Sequence, residues 1–244
     1  MGGLSSCVVS YEGAARFYDV IHDARGRDAV GEANLVTGEA RRLAPTSATL
    51  LDVGCGTGPH LARFAEEFDI VGVDLSAHML SIAAERAPGV VLVEGDFRTF
   101  ELDGRFDVAV SLFSGIGYLT ELEDLRSAIV NMAAHLTPGG VLLIEGWVEP
   151  DYWRGDTVHS ESGHADGLAV ARASLSSRTG MQCEIEMRYI AATSDAITTV
   201  NEYHTMRLSD PDEFANAYSA AGLSFARLPH MLHPGRSFYA GVKQ

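Results

Sequence analysis

The rhythm of apolar and polar positions changes twice along the chain. In Y11-E-G-A-A-R-F-Y-D-V-I-H-D-A24, Ala14, Phe17, Tyr18 and Ile21 recur at helical intervals, which predicts an amphipathic helix. A second helix is expected over 28–43 and stops before Pro45. From residue 49 short apolar runs alternate with helical periods, giving strands at 49–53, 70–74, 90–94, 106–112 and 141–147. Helices at 58–68, 76–86 and 121–136 separate them, with Ser76 as N-cap of the second and Thr137-Pro138-Gly139-Gly140 ending the third. Strands that alternate with helices predict parallel βαβ units with right-handed crossovers.

After Pro150 the period becomes two. Residues 167–178, 181–192 and 197–208 alternate branched or apolar side chains with polar ones, as strands with one wet face do. A helix at 211–221 closes at Gly222, and strands follow at 223–228 and 238–242. The expected organisation is one α/β domain over 1–244, carrying an antiparallel insertion at 151–208 that forms part of the acceptor site.

Composition narrows the classes. Of 244 residues, 18 are Lys or Arg and 33 Asp or Glu, so the formal charge of −15 opposes a general affinity for nucleic acid. No apolar run approaches the ~20 residues of a membrane-spanning helix. M-G-G-L-S-S-C-V-V-S lacks a basic n-region and a sustained apolar core, so a secretory signal is not expected. Cys7, Cys55 and Cys183 are odd in number and widely spaced, which favours a reducing cytoplasm over disulfides. The histidines show no metal-ligand spacing, and no metal is expected.

The chemistry concentrates where the first strand breaks, in L50-L-D-V-G-C-G-T-G58. Glycines at 54, 56 and 58 imply an approach to the backbone closer than a β-carbon allows. A dinucleotide fingerprint requires G-x-G-x-x-G, whereas position 59 is Pro. A P-loop requires Lys before Ser or Thr, and none is present. Asp74 ends the second strand, where a carboxylate accepts both hydroxyls of a ribose. Asp96 ends the third strand, in place for an adenine amino group, with Phe97 to flank the ring. Asp52 can orient the loop or meet an ammonium. Adenosine plus a charged amino acid describes S-adenosylmethionine.

D52-V-G-C-G-T-G58, V73-D74, G95-D96-F97, F106-D107 and L136-T-P-G-G140 together resemble the class I S-adenosylmethionine-dependent methyltransferases, in that family's order. The resemblance implies a Rossmann-like α/β sheet. It implies cofactor contacts from Gly54, Cys55, Gly56, Gly58, Leu75, Met79 and Leu112, besides Asp52, Asp74, Asp96 and Phe97. Tyr18 and Arg25 are expected to cap the cofactor's carboxylate, with a surface salt bridge as the competing reading for Arg25. His22 and His78 read as ordinary surface or helix residues.

Three further stretches, Y11-E-G-A-A-R-F-Y-D19, F113-S-G-I-G-Y118 and L142-L-I-E-G-W147, resemble N-methyltransferases of nucleotide-linked amino-deoxysugars, of the desosamine and mycaminose N,N-dimethyltransferase type. The tail H233-P-G-R-S-F-Y-A-G241 resembles that group's ending. This implies a TDP-amino-deoxysugar substrate, a homodimer and a place in antibiotic biosynthesis. Arg236, Arg154, Arg172, Arg178 and His233 are then candidates for the diphosphate, because guanidinium forks suit its oxygens. Trp147, Tyr152 and Trp153 are candidates for flanking thymine or sugar, and Ser114 for a substrate contact. Tyr11 and Tyr118 are expected to position the amine, and Glu145 to accept one of its hydrogens. Two departures stand out: Phe-Ser-Ser-Ile-Gly-His becomes Phe-Ser-Gly-Ile-Gly-Tyr, and the front stretch is one residue shorter. Tyr118 is no general base near neutral pH in the way that histidine is. Methylation of another small metabolite, or cofactor binding without turnover, are the competing readings.

Overall fold

A computed structural model describes residues 15–155, 157–229, 231–233 and 235–244. Two helices lead, α1 (Ala15–Ala24) and α2 (Ala29–Leu43), the second capped by Asp28 accepting from the Gly31 amide. Tyr11 and Cys7 lie outside the described residues.

The first strands are the most deeply buried. β1 (Thr49–Val53) hides four of its five residues and pairs in parallel with β2 (Asp69–Asp74) on one side and β4 (Phe106–Ser111) on the other. Burial on both faces explains its nearly continuous apolar run. β3 (Val91–Glu94) flanks β2, and β5 (Leu136–Val148) flanks β4. Two strands from the chain end, β10 (Ala226–Pro229) and β11 (Arg236–Val242), complete a seven-stranded sheet in the order β10-β11-β5-β4-β1-β2-β3. Helices α3 (Leu61–Phe64), α4 (Ala77–Arg86), α5 (Leu122–Ala134) and α6 (Pro211–Ala220) join these strands. Leu51, Ala109 and Leu142 face α5 and α6; Leu50, Val108 and Leu143 face α2–α4. Truncating such a core leucine to alanine costs about 2–5 kcal/mol.

Strand order reverses between β1 and β4, so their carboxyl ends open a crevice at a topological switch point. Against one side of that crevice stands a second sheet, β6 (Thr157–Ala165), β7 (Leu168–Thr179), β8 (Gln182–Ala192) and β9 (Ile197–Arg207), antiparallel throughout. α1 packs on its inner face, where Phe17 and Ile21 meet Val170, Tyr189 and Ala191. Among the described residues no helix is long and apolar enough to cross a membrane.

Most expected elements are present, with four differences. The helix expected over 58–68 is helical only at Leu61–Phe64, with turns continuing to Phe68; Glu66 and Glu67 would face the negative end of a longer helix. β5 begins at Leu136, ahead of the expected 141, and admits Pro138 and Gly139 through a register shift against β4. The last antiparallel ribbon starts at Ala226, while Leu223 makes an isolated bridge to Lys243. β6 is an additional strand.

Candidate active site

The turn after β1 is fixed from below. The Gly54 and Cys55 amides donate to the Val73 carbonyl at 2.7 and 3.0 Å, and Gly56 N donates to Asp74 Oδ2 at 2.8 Å. All three loop glycines have positive φ, 79°, 56° and 70°, a region costly to residues with a β-carbon. Space explains only part of the pattern. A β-carbon on Gly54 would sit 2.6 Å from the Phe97 ring, and one on Gly58 would strike Leu61 and Ala83 at 2.8 and 3.0 Å. Thus the close approaches at 54 and 58 are made by the protein itself. Gly56 alone of the three faces open space.

Around that opening the carboxylates are arranged. Asp74 is held by Gly56 N and by Ser76 N at 2.9 Å, and burial raises its pKa against those amides. With the Leu75 amide also facing it, the carboxylate still has acceptor capacity left for a hydroxyl donor. Asp52 is almost fully buried, and burial above all, with His60 opposing and Asp74 adding, lifts its pKa to about 7. Asp96 instead grips Arg98: Oδ2 is 2.6 Å from Nη2, and Oδ1 takes the Arg98 amide and Nε. Cys55 is buried beneath the loop with its thiol pKa pushed up, chiefly by burial. Met79 and Leu112 are buried, while Leu75 stands 56% exposed beside the loop.

The amino-terminal helices close over this cradle. Asp19 binds Arg86 and Arg27 at 2.8 Å each and accepts from the Thr57 hydroxyl at 3.0 Å, tying α1 to the loop and to α4. Arg27 is the cation aimed inward. Its side chain is 5% exposed, and Nε and Nη1 are buried without a hydrogen-bond partner among the described residues. Arg25 points elsewhere, half exposed and 3.8 Å from Glu161 of β6. Gly26, at φ 81°, turns the chain between the two arginines, so Arg25 takes the surface position and Arg27 the inward one.

After β4 the backbone is strained. Phe113 and Ser114 have φ of 56° and 64°, a left-handed pair without glycine that costs roughly 1–2 kcal/mol per residue. Glu145 holds it, accepting from Phe113 N at 2.7 Å, while the Ser114 hydroxyl donates to Gly146 O at 3.0 Å. Ser114 is thus buried, with its hydroxyl proton given to the backbone. The Phe113 ring becomes the hub of the pocket. Tyr18, His22 and His233 set their rings edge-on to it at 6.2, 4.9 and 6.1 Å. Arg27 and Arg236 lie 5.6 and 5.9 Å from its centroid. His22 is a residue of helix α1, as one of the two expected readings has it, and its ring lies inward against Phe113 and not at the surface. Burial first, then the charges of Arg172, Arg27 and Arg25, push its pKa down to about 3. Burial and neighbouring Tyr118 keep the Tyr18 phenol protonated.

The tail enters from the opposite side. Arg236 Nη1 donates to Glu145 Oε1 at 3.1 Å, and His233 Nε2 lies 3.4 Å from Glu32 and 3.8 Å from Glu145. Both Glu145 oxygens are engaged by the chain, so it orders Phe113 and Arg236. Burial raises the Glu32 carboxyl, but hydrogen bonds and charge from His233 and His60 outweigh it and hold the pKa at about 2.

Other candidates sit further back. Arg172 is buried in an ion pair with Glu161 at 3.0 Å and lies against Tyr189. Arg178 gives Nε and Nη1 to the carbonyls of Gly180 and Pro150. Arg172 is thus spent on an ion pair within the second sheet, and Arg178 on two backbone carbonyls. Trp147 is core, packed with Cys183, Met206 and Leu208 and edge-on to half-buried Trp153 at 6.0 Å. Tyr152 is half-buried, with Arg154 over its ring. Tyr118, in a 3-10 turn at Gly115–Tyr118, reaches His204 Nδ1 of β9 at 3.2 Å.

A methyltransferase-domain family matches residues 50–140. Relatives run much further. The dTDP-3-amino-3,6-dideoxy-alpha-D-glucopyranose N,N-dimethyltransferase of Streptomyces fradiae is 39% identical over 230 residues, 93% of this chain and 90% of its own. The chain belongs to the dTDP-amino-sugar N,N-dimethyltransferase family. A member from Saccharopolyspora spinosa, named for a dTDP-4-amino-2,3,4,6-tetradeoxy-D-glucose, is 37% identical over 94% of this chain and 92% of its own. Among solved structures, a SAM-bound amino pentose methyltransferase of calicheamicin biosynthesis from Micromonospora echinaspora superposes with a TM-score of 0.82 at 34% identity, covering 100% of both chains. The protein is an S-adenosylmethionine-dependent methyltransferase with the class I fold.

Proposed function

We propose that the protein N-methylates the amino group of a TDP-linked amino-deoxysugar, twice, in antibiotic biosynthesis. The observation that carries this reading is the extent of the likeness: it spans 93% of the chain, far beyond the 50–140 segment matched by the methyltransferase-domain family.

The pocket fits the donor on its own terms. Arg27 offers two buried nitrogens, unpartnered among the described residues, to a carboxylate, Asp74 keeps acceptor capacity for a ribose hydroxyl, and Gly56 leaves the loop open. When bound, S-adenosylmethionine supplies an electrophilic methyl on a sulfonium, which an amine lone pair attacks in line. The protein's own work is orientation and exclusion of water. Asp19, Arg86 and Thr57 hold α1 shut over the loop. Glu145 fixes the strained turn that aims Phe113. In this reading Tyr118 presents its hydroxyl to the acceptor amine, and Tyr18 stands at the donor's carboxylate end beside Arg27. Arg236, about a quarter exposed and using one arm on Glu145, keeps its remaining donors for the diphosphate. The sheet β6–β9 forms one wall of the acceptor site, and the amino-terminal half of the chain the donor site.

The functional unit in this reading is a cytoplasmic homodimer. Val158, Leu175, Ile190, Ile197 and Tyr203 are all over half exposed and share the outer face of β6–β9, an apolar surface a second copy would cover. Thymidine diphosphate should raise the melting temperature of the wild type and fail to do so for Arg236→Met. Absence of any protection would favour a different small-metabolite acceptor.

A further inference from the structure

Tyr118 stands where the resembling enzymes carry histidine, yet an imidazole is present beside it. His204 comes from β9, its ring centroid 5.8 Å from that of Tyr118 and its Nδ1 3.2 Å from the phenolic oxygen. Its other nitrogen, Nε2, lies 3.2 Å from Glu202 Oε2. His204 and Glu202 are 3% and 6% exposed, while Tyr118 is half-buried and close enough to Tyr18 of α1 to perturb it. The order from the pocket inward is therefore phenol, imidazole, carboxylate.

The direction of these bonds follows from the carboxylate. Glu202, as an acceptor, requires the proton of a neutral His204 ring to sit on Nε2. Nδ1 is then the acceptor, and Tyr118 donates to it. Such a chain can take up one proton without a charged tyrosinate.

We propose that His204, acting through Tyr118 and oriented by Glu202, is the proton acceptor for the substrate ammonium. The proposal rests on the amine-acceptor reading above. As the ammonium gives a proton to the Tyr118 oxygen, the phenolic proton passes to His204 Nδ1. The nitrogen keeps the N–H bonding pair as its lone pair, Tyr118 ends neutral, and His204 becomes an imidazolium facing the Glu202 carboxylate. The amine is then nucleophilic, and the imidazolium returns its proton to water by the same route after product leaves. A second methylation repeats the step. Tyr118 is the catalytic group, and His204 and Glu202 act through it.

The surroundings suit that transfer. Among the described residues, besides Tyr118 from the 3-10 turn and Glu202 on its own strand, the charged or titratable groups near the chain include Tyr18 of α1, Tyr189 of β8 and Arg172 of β7. Arg172 is neutralised by Glu161 of β6 at 3.0 Å. Burial leads in raising the phenols of Tyr18 and Tyr189, which stay protonated and carry no competing charge.

Two measurements on the full-length protein test this. In ¹⁵N-histidine-labelled wild type, with His204 assigned by its absence from His204→Gln, the neutral ring should carry its proton on Nε2; Nδ1–H as the ground state would overturn the proposal. That readout needs no sugar substrate, so it stands apart from the acceptor reading, which fails separately if no amino sugar is methylated. In pH profiles of kcat/KM, the wild type should show an acid limb that His204→Gln lacks. It should also fall by about a hundredfold near neutrality, with S-adenosylmethionine affinity unchanged by calorimetry. Tyr118→His, which puts an imidazole directly at the amine, should recover at least tenfold when placed in the His204→Gln background. A His204→Gln enzyme within twofold of wild type, with the acid limb intact, would overturn the proposal.

Discussion

Arg27 lies with its guanidinium carbon 5.6 Å from the centre of the Phe113 ring, one arm on Asp19 and two nitrogens without partners among the described residues. A buried guanidinium left in that state is costly unless something anionic meets it. Arg27→Met should therefore weaken S-adenosylmethionine binding by roughly 10- to 100-fold, the worth of one charge-assisted pair. Arg25→Ala should leave it unchanged, since Arg25 faces Glu161. Calorimetric titration of both variants decides; equal losses would mean the wrong arginine has been placed at the donor.

Asp74 braces the loop through Gly56 N and is also the acceptor assigned to the ribose. Asp74→Ala should lower donor affinity by at least about a hundredfold, as two hydrogen bonds to a charged group imply. Asp74→Asn keeps an acceptor oxygen and should lose less. Unchanged affinity in the alanine variant would contradict the ribose assignment.

These two predictions show how unevenly the site was written in the sequence. The glycine turn and Asp74 were legible, because strand, break and terminal acid leave local marks. Arg27 was not: it is separated from Arg25 only by a turn at Gly26, and spacing does not say which guanidinium faces inward. His22 did carry a signal, being four residues after Tyr18 on the same helix and hence on the same face. β6 was invisible because T-V-H-S-E-S-G-H-A has almost no apolar alternation, as befits a mostly exposed edge strand. The meeting of Tyr118 with His204 joins residues 86 apart; only the pairing of sheets produces it.

His22 and Asp52 should tilt stability in opposite directions with pH. The His22 pKa falls from 6.5 to about 3 on folding, so the unfolded chain binds a proton that the native one refuses. Its contribution is present above pH 6.5 and is lost as pH falls towards 3, at up to ~1.4 kcal/mol per pH unit. For Asp52 the pKa rises from 3.8 to about 7, so its contribution is full below pH 3.8 and is lost as pH climbs to 7. Melting temperatures between pH 4 and 7 should show His22→Gln losing less than wild type on acidification. Asp52→Asn should gain on wild type as pH rises. Curves parallel to wild type would refute both assignments.

Glu145 should separate structure from charge. Glu145→Ala strands the Phe113 amide, at a cost of about 1–3 kcal/mol, and frees the partly exposed Arg236. Glu145→Gln retains an acceptor for the amide and should be milder in thermal melts. A glutamine variant as unstable as alanine would show that the ion pair with Arg236, not the turn, sets the stability.

The most direct test of the whole account is mass spectrometry of the purified protein incubated with S-adenosylmethionine and TDP-amino-deoxysugars bearing nitrogen at C-3 or C-4. One of these sugars should gain first one and then a second methyl group, both on nitrogen. Saturating donor that leaves every sugar amine unchanged would contradict the account.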